Sequence, residues 1–162
     1  MADRHWHGEK WPKGVAKEVS GYDSPLFNLL DESAQKYPNN VYTIFNDANR
    51  TFAQVRDTAD RIANFLVSKG IKKGDRVAIF LPNLPHYPAI FFGILKAGAV
   101  CVTCNPVYTA SELNYQLGDA GAKMVFCMDH PLFYPTTVKA IKDTDVENVV
   151  ICSVKSYLPW LK

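Results

Sequence analysis

Short, continuous runs of apolar residues dominate the chain after Gly74, and more polar segments separate them. Such runs are typical of parallel strands that helices cover on both faces. The sequence predicts four strands, at 76–81, 99–104, 123–128 and Asn148–Cys152. Crossover helices fit the intervening segments, which are 87–97, Ala110–Ala120 and 132–141. The pattern therefore predicts an α/β fold with a doubly wound, mainly parallel sheet flanked by helices.

The first third of the chain predicts a helix and a short β-hairpin ahead of this sheet. The Ser-Pro pair at 24–25 has the N-cap and first-turn chemistry of a helix, and apolar residues recur at helical spacing down to Pro38. The run Val41–Phe45 predicts a strand. Turn-forming residues at 46–49 then return the chain through residues 50–52, which completes the hairpin.

Two capping boxes mark the starts of further helices. Thr51 and Gln54 form the first box, at the start of a helix that ends at Gly70. Thr109 and Glu112 form the second box, directly before the helix predicted from residue 110. In each pair, the two side chains satisfy backbone N–H groups that the first turn of a helix leaves free.

The composition is that of a globular protein, with 162 residues, 48% hydrophobic content and a formal net charge of +2. A chain of this length buries a sizeable core. We predict one domain over residues 22–162, preceded by an irregular arm over residues 1–21. The near balance of charge gives no reason to expect a nucleic-acid partner.

Neither a membrane span nor a signal peptide is visible in the sequence. The longest apolar stretches, such as 77–81 and 89–95, fall far short of the roughly 20 residues that cross a bilayer. The first twelve residues carry charges but no apolar core of the kind that a signal peptide needs. We therefore expect a cytoplasmic protein with at most a peripheral membrane association.

Four cysteines raise the question of a metal or redox site, because Cys101 and Cys104 have C-x-x-C spacing. Reactive pairs of this spacing normally lie on a turn or at a helix start, whereas this pair lies within a predicted strand. Cys127 and Cys152 also lie in apolar strand runs. We predict four reduced thiols that act as small apolar residues.

No motif for nucleotide binding or catalysis accompanies the predicted sheet. The turn after the first buried strand, 82–85, contains two prolines and no glycine, so it cannot cradle the pyrophosphate of a dinucleotide. A Walker-type loop, a G-x-S-x-G elbow and an H-E-x-x-H pair are all absent from the sequence. The four histidines have no metal-ligand spacing. Taken alone, the residues indicate an α/β domain with no visible active centre.

Several motifs nevertheless resemble the N-terminal part of the adenylate-forming enzyme superfamily. They are the helix 51–66, Gly70 with the Lys-Gly-Asp-Arg strand start at 73–76, Leu-Lys-Ala-Gly at 95–98 and Asn-Pro-Val-Tyr at 105–108. Their order and spacing match that superfamily over most of residues 24–152. Within it, the segments 81–88 and 105–117 are similar to medium- and long-chain fatty acyl-CoA ligases. Aryl-CoA ligases and luciferase-like members have related sequences.

The resemblance implies a fold and a reaction. The fold is the N-terminal subdomain of an acyl-CoA synthetase. In the reaction, the carboxylate of a fatty acid attacks the α-phosphate of ATP, with Mg²⁺ present, to give an acyl-adenylate and pyrophosphate. The thiol of coenzyme A (CoA) then displaces AMP to form a thioester. The superfamily uses a Ser/Thr/Gly-rich loop with a lysine, a Thr-Glu pair, an aspartate and a mobile lysine, and none of these is in this sequence. We therefore expect the chain to be inactive alone and to bind none of these cofactors tightly.

Two residues are candidates for the substrate side of the complete enzyme. Asn83 and Tyr108 each follow the carboxyl end of a predicted strand, which is the edge where open α/β sheets bind ligands. The alternative interpretation is structural, with Asn83 as a helix cap and Tyr108 packed in a subdomain interface. No catalytic, cofactor-binding or metal-binding residue is assigned.

A second class of function is a binding or assembly module, either a subunit that pairs with a catalytic half or a homodimer. Aromatic residues near both ends of the chain support it, namely Trp6, Trp11, Tyr157 and Trp160. Such residues suggest apolar surface that the remainder of the chain or a second copy covers.

Overall fold

The structure is a computed structural model that describes residues 11–16 and 23–157. Trp6, Trp160 and most of the predicted arm 1–21 therefore lie outside the described residues. The helices are α1 (Asn28–Lys36), α2 (Phe52–Ser68), α3 (His86–Lys96), α4 (Ala110–Ala120) and α5 (Tyr134–Ala140). The strands are β1 (Val41–Phe45), β2 (Ala48–Thr51), β3 (Arg76–Phe80), β4 (Val100–Thr103), β5 (Ala122–Met128) and β6 (Asn148–Cys152). A 3₁₀ helix, Val154–Tyr157, follows β6.

The predicted parallel sheet is confirmed, with its strands in the order β4-β3-β5-β6 and all of its pairs parallel. The chain moves from β3 to β4 in one direction and then back past β3 to β5, so the sheet is doubly wound. Because β-α-β crossovers are right-handed, α3 lies on one face of the sheet and α4 and α5 on the other. The contacts agree, since α3 packs on α2 while α4 packs on α5.

The central strand β3 shows why the sequence contains continuous apolar runs. Val77, Ala78 and Ile79 are completely buried, because β3 has a strand on each side and a helical layer on each face. Both faces of such a strand must therefore be apolar. The neighbouring strand β5 is buried in the same way over Met124–Cys127.

The start of the first helix differs from the prediction. Helix α1 begins at Asn28 rather than after Ser24, and the residue at its N-cap position, Phe27, makes no side-chain capping hydrogen bond. A turn precedes the helix, in which the Asn28 N–H donates to the Pro25 carbonyl at 2.9 Å. The Ser-Pro signal therefore marks a turn that leads into the helix, and the prediction of Ser24 as its cap is wrong.

The hairpin is confirmed, but its turn is tighter than predicted. Asn46 and Asp47 have φ angles of 45° and 65°, so both adopt the left-handed conformation. Two consecutive left-handed residues form the type of turn that matches the twist of two paired strands. Strand β2 therefore begins at Ala48, directly after these two residues, rather than at residue 50.

Both capping boxes are confirmed. Thr51 caps α2 and Thr109 caps α4, and in each box the side chain three residues later accepts a hydrogen bond from the threonine N–H. The Glu112 carboxylate accepts from the Thr109 N–H at 2.8 Å, and this hydrogen bond lowers the pKa of Glu112. The pattern of capping residues in the sequence therefore predicted these two helix starts correctly.

Candidate functional site

The loop after β3 contains the first candidate, Asn83. This residue is exposed, and it lines an open cleft of about 310 Å³ between the loop and the β-hairpin. Across the cleft, the hairpin contributes Thr43, Ile44 and Phe45. The Thr43 hydroxyl oxygen is buried and has no hydrogen-bond partner among the described residues. The cleft is therefore mainly apolar, with one unused polar group near its wall.

Asn83 does not cap the following helix. Pro85 occupies the N-cap position of α3, and no side-chain hydrogen bond caps this helix. The structural interpretation of Asn83 as a helix cap is therefore wrong, and the side chain remains available to the cleft.

The second candidate, Tyr108, lies on the turn between β4 and α4. The Asn105 side chain organises this turn by accepting a hydrogen bond from the Val107 N–H at 3.2 Å, and the Tyr108 N–H donates to the Asn105 carbonyl at 3.1 Å. Tyr108 is half-buried and packs against the main apolar core. It also lines an open cleft of about 590 Å³ along α4, whose other residues are Ser111, Glu112, Tyr115, Gln116 and Asp119.

The structure does not bring the two candidates into one site. Asn83 and Tyr108 both follow the carboxyl ends of neighbouring strands, as predicted, but they line separate clefts. The geometry gives two separate open clefts rather than one assembled site.

The strand order identifies another loop that sequence reasoning missed. Adjacent strands β3 and β5 lead into helices on opposite faces, so the crevice typical of doubly wound sheets falls between the loops after these two strands. The loop after β5 carries Asp129 and His130, both exposed. The His130 Nδ1 accepts a hydrogen bond from the Leu132 N–H at 3.2 Å. Their position after a buried strand was the available signal, but the sequence did not reveal that β5 lies beside β3.

The cysteines are buried or half-buried, and all four are free thiols. Burial raises the pKa of Cys101 to about 11 and the pKa values of Cys104 and Cys152 to about 12. These thiols stay protonated near neutral pH, and a protonated thiol is a poor nucleophile and metal ligand. The interpretation of the cysteines as core residues is confirmed.

The described residues offer neither a metal site nor a membrane-spanning helix. Residues 11–16 and 23–157 contain no group of three or more His, Cys, Asp or Glu side chains that could hold a metal ion. Within the same residues, no helix has the length and apolar character needed to cross a membrane.

A doubly wound parallel sheet with a hairpin before it, and with open clefts near the carboxyl ends of its strands, defines a protein of the α/β class. The family described as "AMP-binding enzyme" matches residues 30–160, and the chain belongs to this family. The resemblance seen in the sequence is thereby confirmed.

Relatives and solved structures agree with this assignment. The chain is 35% identical over 162 residues to a long-chain-fatty-acid–CoA ligase of Bacillus subtilis, and it spans 28% of that protein's length. A Mycobacterium tuberculosis fatty acyl CoA synthetase is 30% identical, with a TM-score of 0.70 over 78% of this chain and 26% of its own. A benzoate CoA ligase from Burkholderia xenovorans shares the fold, with a TM-score of 0.72 at 20% identity over 78% of this chain and 25% of its own.

Proposed function

We propose that the chain forms the N-terminal subdomain of an ATP-dependent fatty acid–CoA ligase. The observation that carries the proposal is the similarity to the Bacillus subtilis ligase, which extends over the whole length of this chain. The complete enzyme would join a fatty acid to CoA through an acyl-adenylate, releasing AMP and pyrophosphate. We also propose that it works in the cytoplasm.

The role of this subdomain follows from what its residues offer. ATP, Mg²⁺ and CoA would be the cofactors of the complete enzyme, but this sequence has none of the phosphate-binding motifs that the reaction requires. We therefore assign no catalytic step to the chain. Its buried parallel sheet would act as a rigid scaffold, and the loops that carry Asn83 and Tyr108 would face the substrate side. The remainder of the enzyme would cover these loops.

A fatty acid is the proposed substrate class rather than an aromatic acid. Identity to the benzoate CoA ligase is too low to indicate more than a shared fold. Identity to the fatty acid–CoA ligase is higher and covers the entire chain. A homodimer remains a further proposal, which the oligomeric state of the complete enzyme would test.

A chimeric enzyme would test the proposed function. The corresponding N-terminal region of the Bacillus subtilis ligase is replaced by this chain, and thioester formation is measured with ATP, CoA and either a long-chain fatty acid or benzoate. We expect the chimera to use the fatty acid and the chain alone to form no thioester. A folded chimera that prefers benzoate would contradict the proposed substrate class. The chain can also be mixed, as a separate polypeptide, with the remainder of the Bacillus subtilis ligase. Thioester formation in this mixture but not in the chimera would favour the alternative of a pairing subunit.

A further inference from the structure

A third open cleft, of about 590 Å³, lies between β2, α2, the start of α3 and the 3₁₀ helix. Neither Asn83 nor Tyr108 lines it. Its wall is formed by polar, basic and aromatic side chains, which are Arg50, Gln54, Asp57, Thr58, Arg61, His86 and Tyr157. Nothing in the function proposed above uses these residues.

The charges in the cleft favour an anion. Arg61 lies 3.1 Å from the Asp57 carboxylate, in an exposed ion pair along α2. Arg50 forms no ion pair within the described part of the chain, and Asp57 is the only carboxylate in the wall. The cleft therefore carries one positive charge in excess of what its own residues neutralise.

Arg50 also lies over the ring of Tyr157, and its guanidinium makes no hydrogen bond within the described part of the chain. Its guanidinium carbon lies 5.1 Å from the centroid of the Tyr157 ring. A guanidinium has five N–H donors, so a contact with one aromatic ring leaves donors that can bind another ligand. This planar fork matches the oxygen spacing of a phosphate or carboxylate group.

His86 supports Tyr157 from another direction. The two ring centroids are 4.5 Å apart at an interplanar angle of 77°, so Tyr157 contacts both His86 and Arg50. Burial lowers the pKa of His86, so the imidazole is neutral near pH 7. Its Nδ1 atom is buried and has no hydrogen-bond partner among the described residues. One residue of the cleft wall thus carries a polar atom that the fold does not use.

A neighbouring cleft on the same helix shows that this charge pattern is not general. That cleft contains Arg56 and Lys96, but it also contains three carboxylates, from Asp31, Glu32 and Asp60. The charged side chains of that cleft therefore sum to one negative charge. Its lysine, Lys96, is paired with the carboxylates of Asp31 and Asp60. Arg56 is therefore a matched control for Arg50, because both are arginines in clefts along α2 but only one cleft has an excess of positive charge.

We propose that the cleft formed by Arg50, Arg61, His86 and Tyr157 binds an oxyanion of the phosphate class. Arg50 supplies the uncompensated charge and the planar donor fork, and Arg61 supplies a second guanidinium. A phosphate offers more acceptor oxygens than a carboxylate, and so suits a site with two guanidinium groups. The anion is either a soluble phosphate compound or the phosphate headgroup of a lipid. The proposal does not depend on ligase activity.

Calorimetric titration tests the site directly. Inorganic pyrophosphate is titrated into the 162-residue chain at neutral pH and low salt. We expect saturable binding that Arg50→Gln weakens about tenfold or more, because a charge-assisted, forked contact is lost. Arg61→Gln is also expected to weaken pyrophosphate binding. Arg56→Gln should change the Kd by no more than about twofold, since charges outside the site act through screened solvent. Circular dichroism confirms that each variant is folded.

Co-sedimentation with lipid vesicles distinguishes the two sources of phosphate. Vesicles that contain phosphatidic acid are compared with vesicles of phosphatidylcholine alone. Retention on the former, lost in Arg50→Gln, identifies a lipid headgroup as a source, whereas pyrophosphate binding without retention identifies a soluble phosphate. Binding of neither probe would overturn the proposal. Equal losses in Arg50→Gln and Arg56→Gln would also overturn it, because they would indicate attraction to general positive charge rather than to this cleft.

Discussion

Gly93 of α3 lies so close to Ile62 of α2 that a Cβ atom on Gly93 would be 2.6 Å from the Ile62 Cγ2 atom. It would also be 3.0 Å from the backbone oxygen of Ala59. The Ile62 Cγ2 atom can rotate away, but the Ile62 Cβ atom, at 2.8 Å, and the backbone oxygen move only if the helix moves. The missing side chain at Gly93 therefore sets how closely these two helices approach.

Gly93→Ala should destabilise the chain by about 1–3 kcal/mol, because overpacking forces a side chain or a helix to shift. Urea denaturation measures the change in the free energy of unfolding. Gly118→Ala is the matched control, since an added Cβ on this helical glycine meets no atom within 4 Å. We expect the control to stabilise the chain by about 0.5–1 kcal/mol, through the higher helix propensity of alanine. Equal effects of the two substitutions would show that the contact with Ile62 is unimportant.

Lys96 connects three helices, and its replacement should lower the stability of the chain. Its ammonium group bonds to the carboxylates of Asp31 in α1 and Asp60 in α2. Lys96→Met would leave two carboxylates without their shared cation, and we expect a loss of about 1–3 kcal/mol in the free energy of unfolding. Arg61→Met, which breaks an exposed pair with Asp57, should cost no more than about 0.5 kcal/mol.

The same cluster predicts how this difference depends on pH. Burial disfavours the charged form of Lys96, but the hydrogen bonds to Asp31 and Asp60 outweigh that effect and raise the pKa of Lys96. The stabilisation is therefore fully present below the ordinary lysine pKa and is lost as the pH rises through the raised value. The stability difference between the native chain and Lys96→Met should shrink only at strongly alkaline pH. A difference that shrinks already between pH 7 and 9 would contradict this assignment.

Asp75 predicts the opposite dependence, at acid pH. Its carboxylate bonds to the Lys123 ammonium group and accepts a hydrogen bond from the Lys72 N–H, both at 2.8 Å, and these contacts lower its pKa. The stabilisation is present above the ordinary aspartate pKa and is lost as the pH falls through the lowered value. Asp75→Asn should be less stable than the native chain at pH 7, and the two should converge in acid.

Urea titrations at several pH values would measure this convergence. Asp57→Asn is the control for Asp75→Asn, because Asp57 has an exposed side chain in an ion pair on the helix surface. Exposed pairs contribute little, so this variant should match the native chain at every pH. A difference in the free energy of unfolding between Asp75→Asn and the native chain that persists in acid would contradict this prediction. It would show that the amide disturbs packing, rather than that a charge interaction is lost.

The thiols should resist modification while the chain is folded. Cys104 and Cys152 combine burial with pKa values raised to about 12, so few thiolates form at pH 8. Ellman's reagent should label these two cysteines slowly in the native chain and all four cysteines rapidly in urea. Mass spectrometry would identify which cysteines react. Labelling of Cys152 in the native chain as fast as in urea would contradict its burial.

The candidates Asn83 and Tyr108 are best tested in the chimeric ligase described above. If their loops face the substrate, Asn83→Ala and Tyr108→Phe should change the preference among fatty acids or the turnover, while Val107→Ala serves as an exposed neighbouring control. Steady-state kinetics with acids of different length would measure the change. Unchanged preference and turnover in both variants would show that the two residues have only structural roles.

Much of the fold was predictable because its signals are local. The capping boxes at Thr51 and Thr109 and the continuous apolar runs each act within a few residues, and the structure confirms them. The helix start at Ser24 was mispredicted because a serine-proline pair also suits the turn that precedes a helix. The two-residue turn at Asn46 and Asp47 was too compact to recognise within a longer polar segment.

The sequence by itself determined the α/β class, the apolar strands, the two capped helices and the resemblance to adenylate-forming enzymes. These features depend on periodicity and short motifs, whose residues lie close together in the sequence. Tertiary structure alone decided the strand order β4-β3-β5-β6, which places the loop after β5 beside the loop after β3. It also placed Asn83 and Tyr108 in separate clefts. It also brought Arg50 and His86 onto Tyr157, although these residues are far apart in sequence. The physical reason is that strand order and clefts depend on packing between distant segments, which no local pattern records.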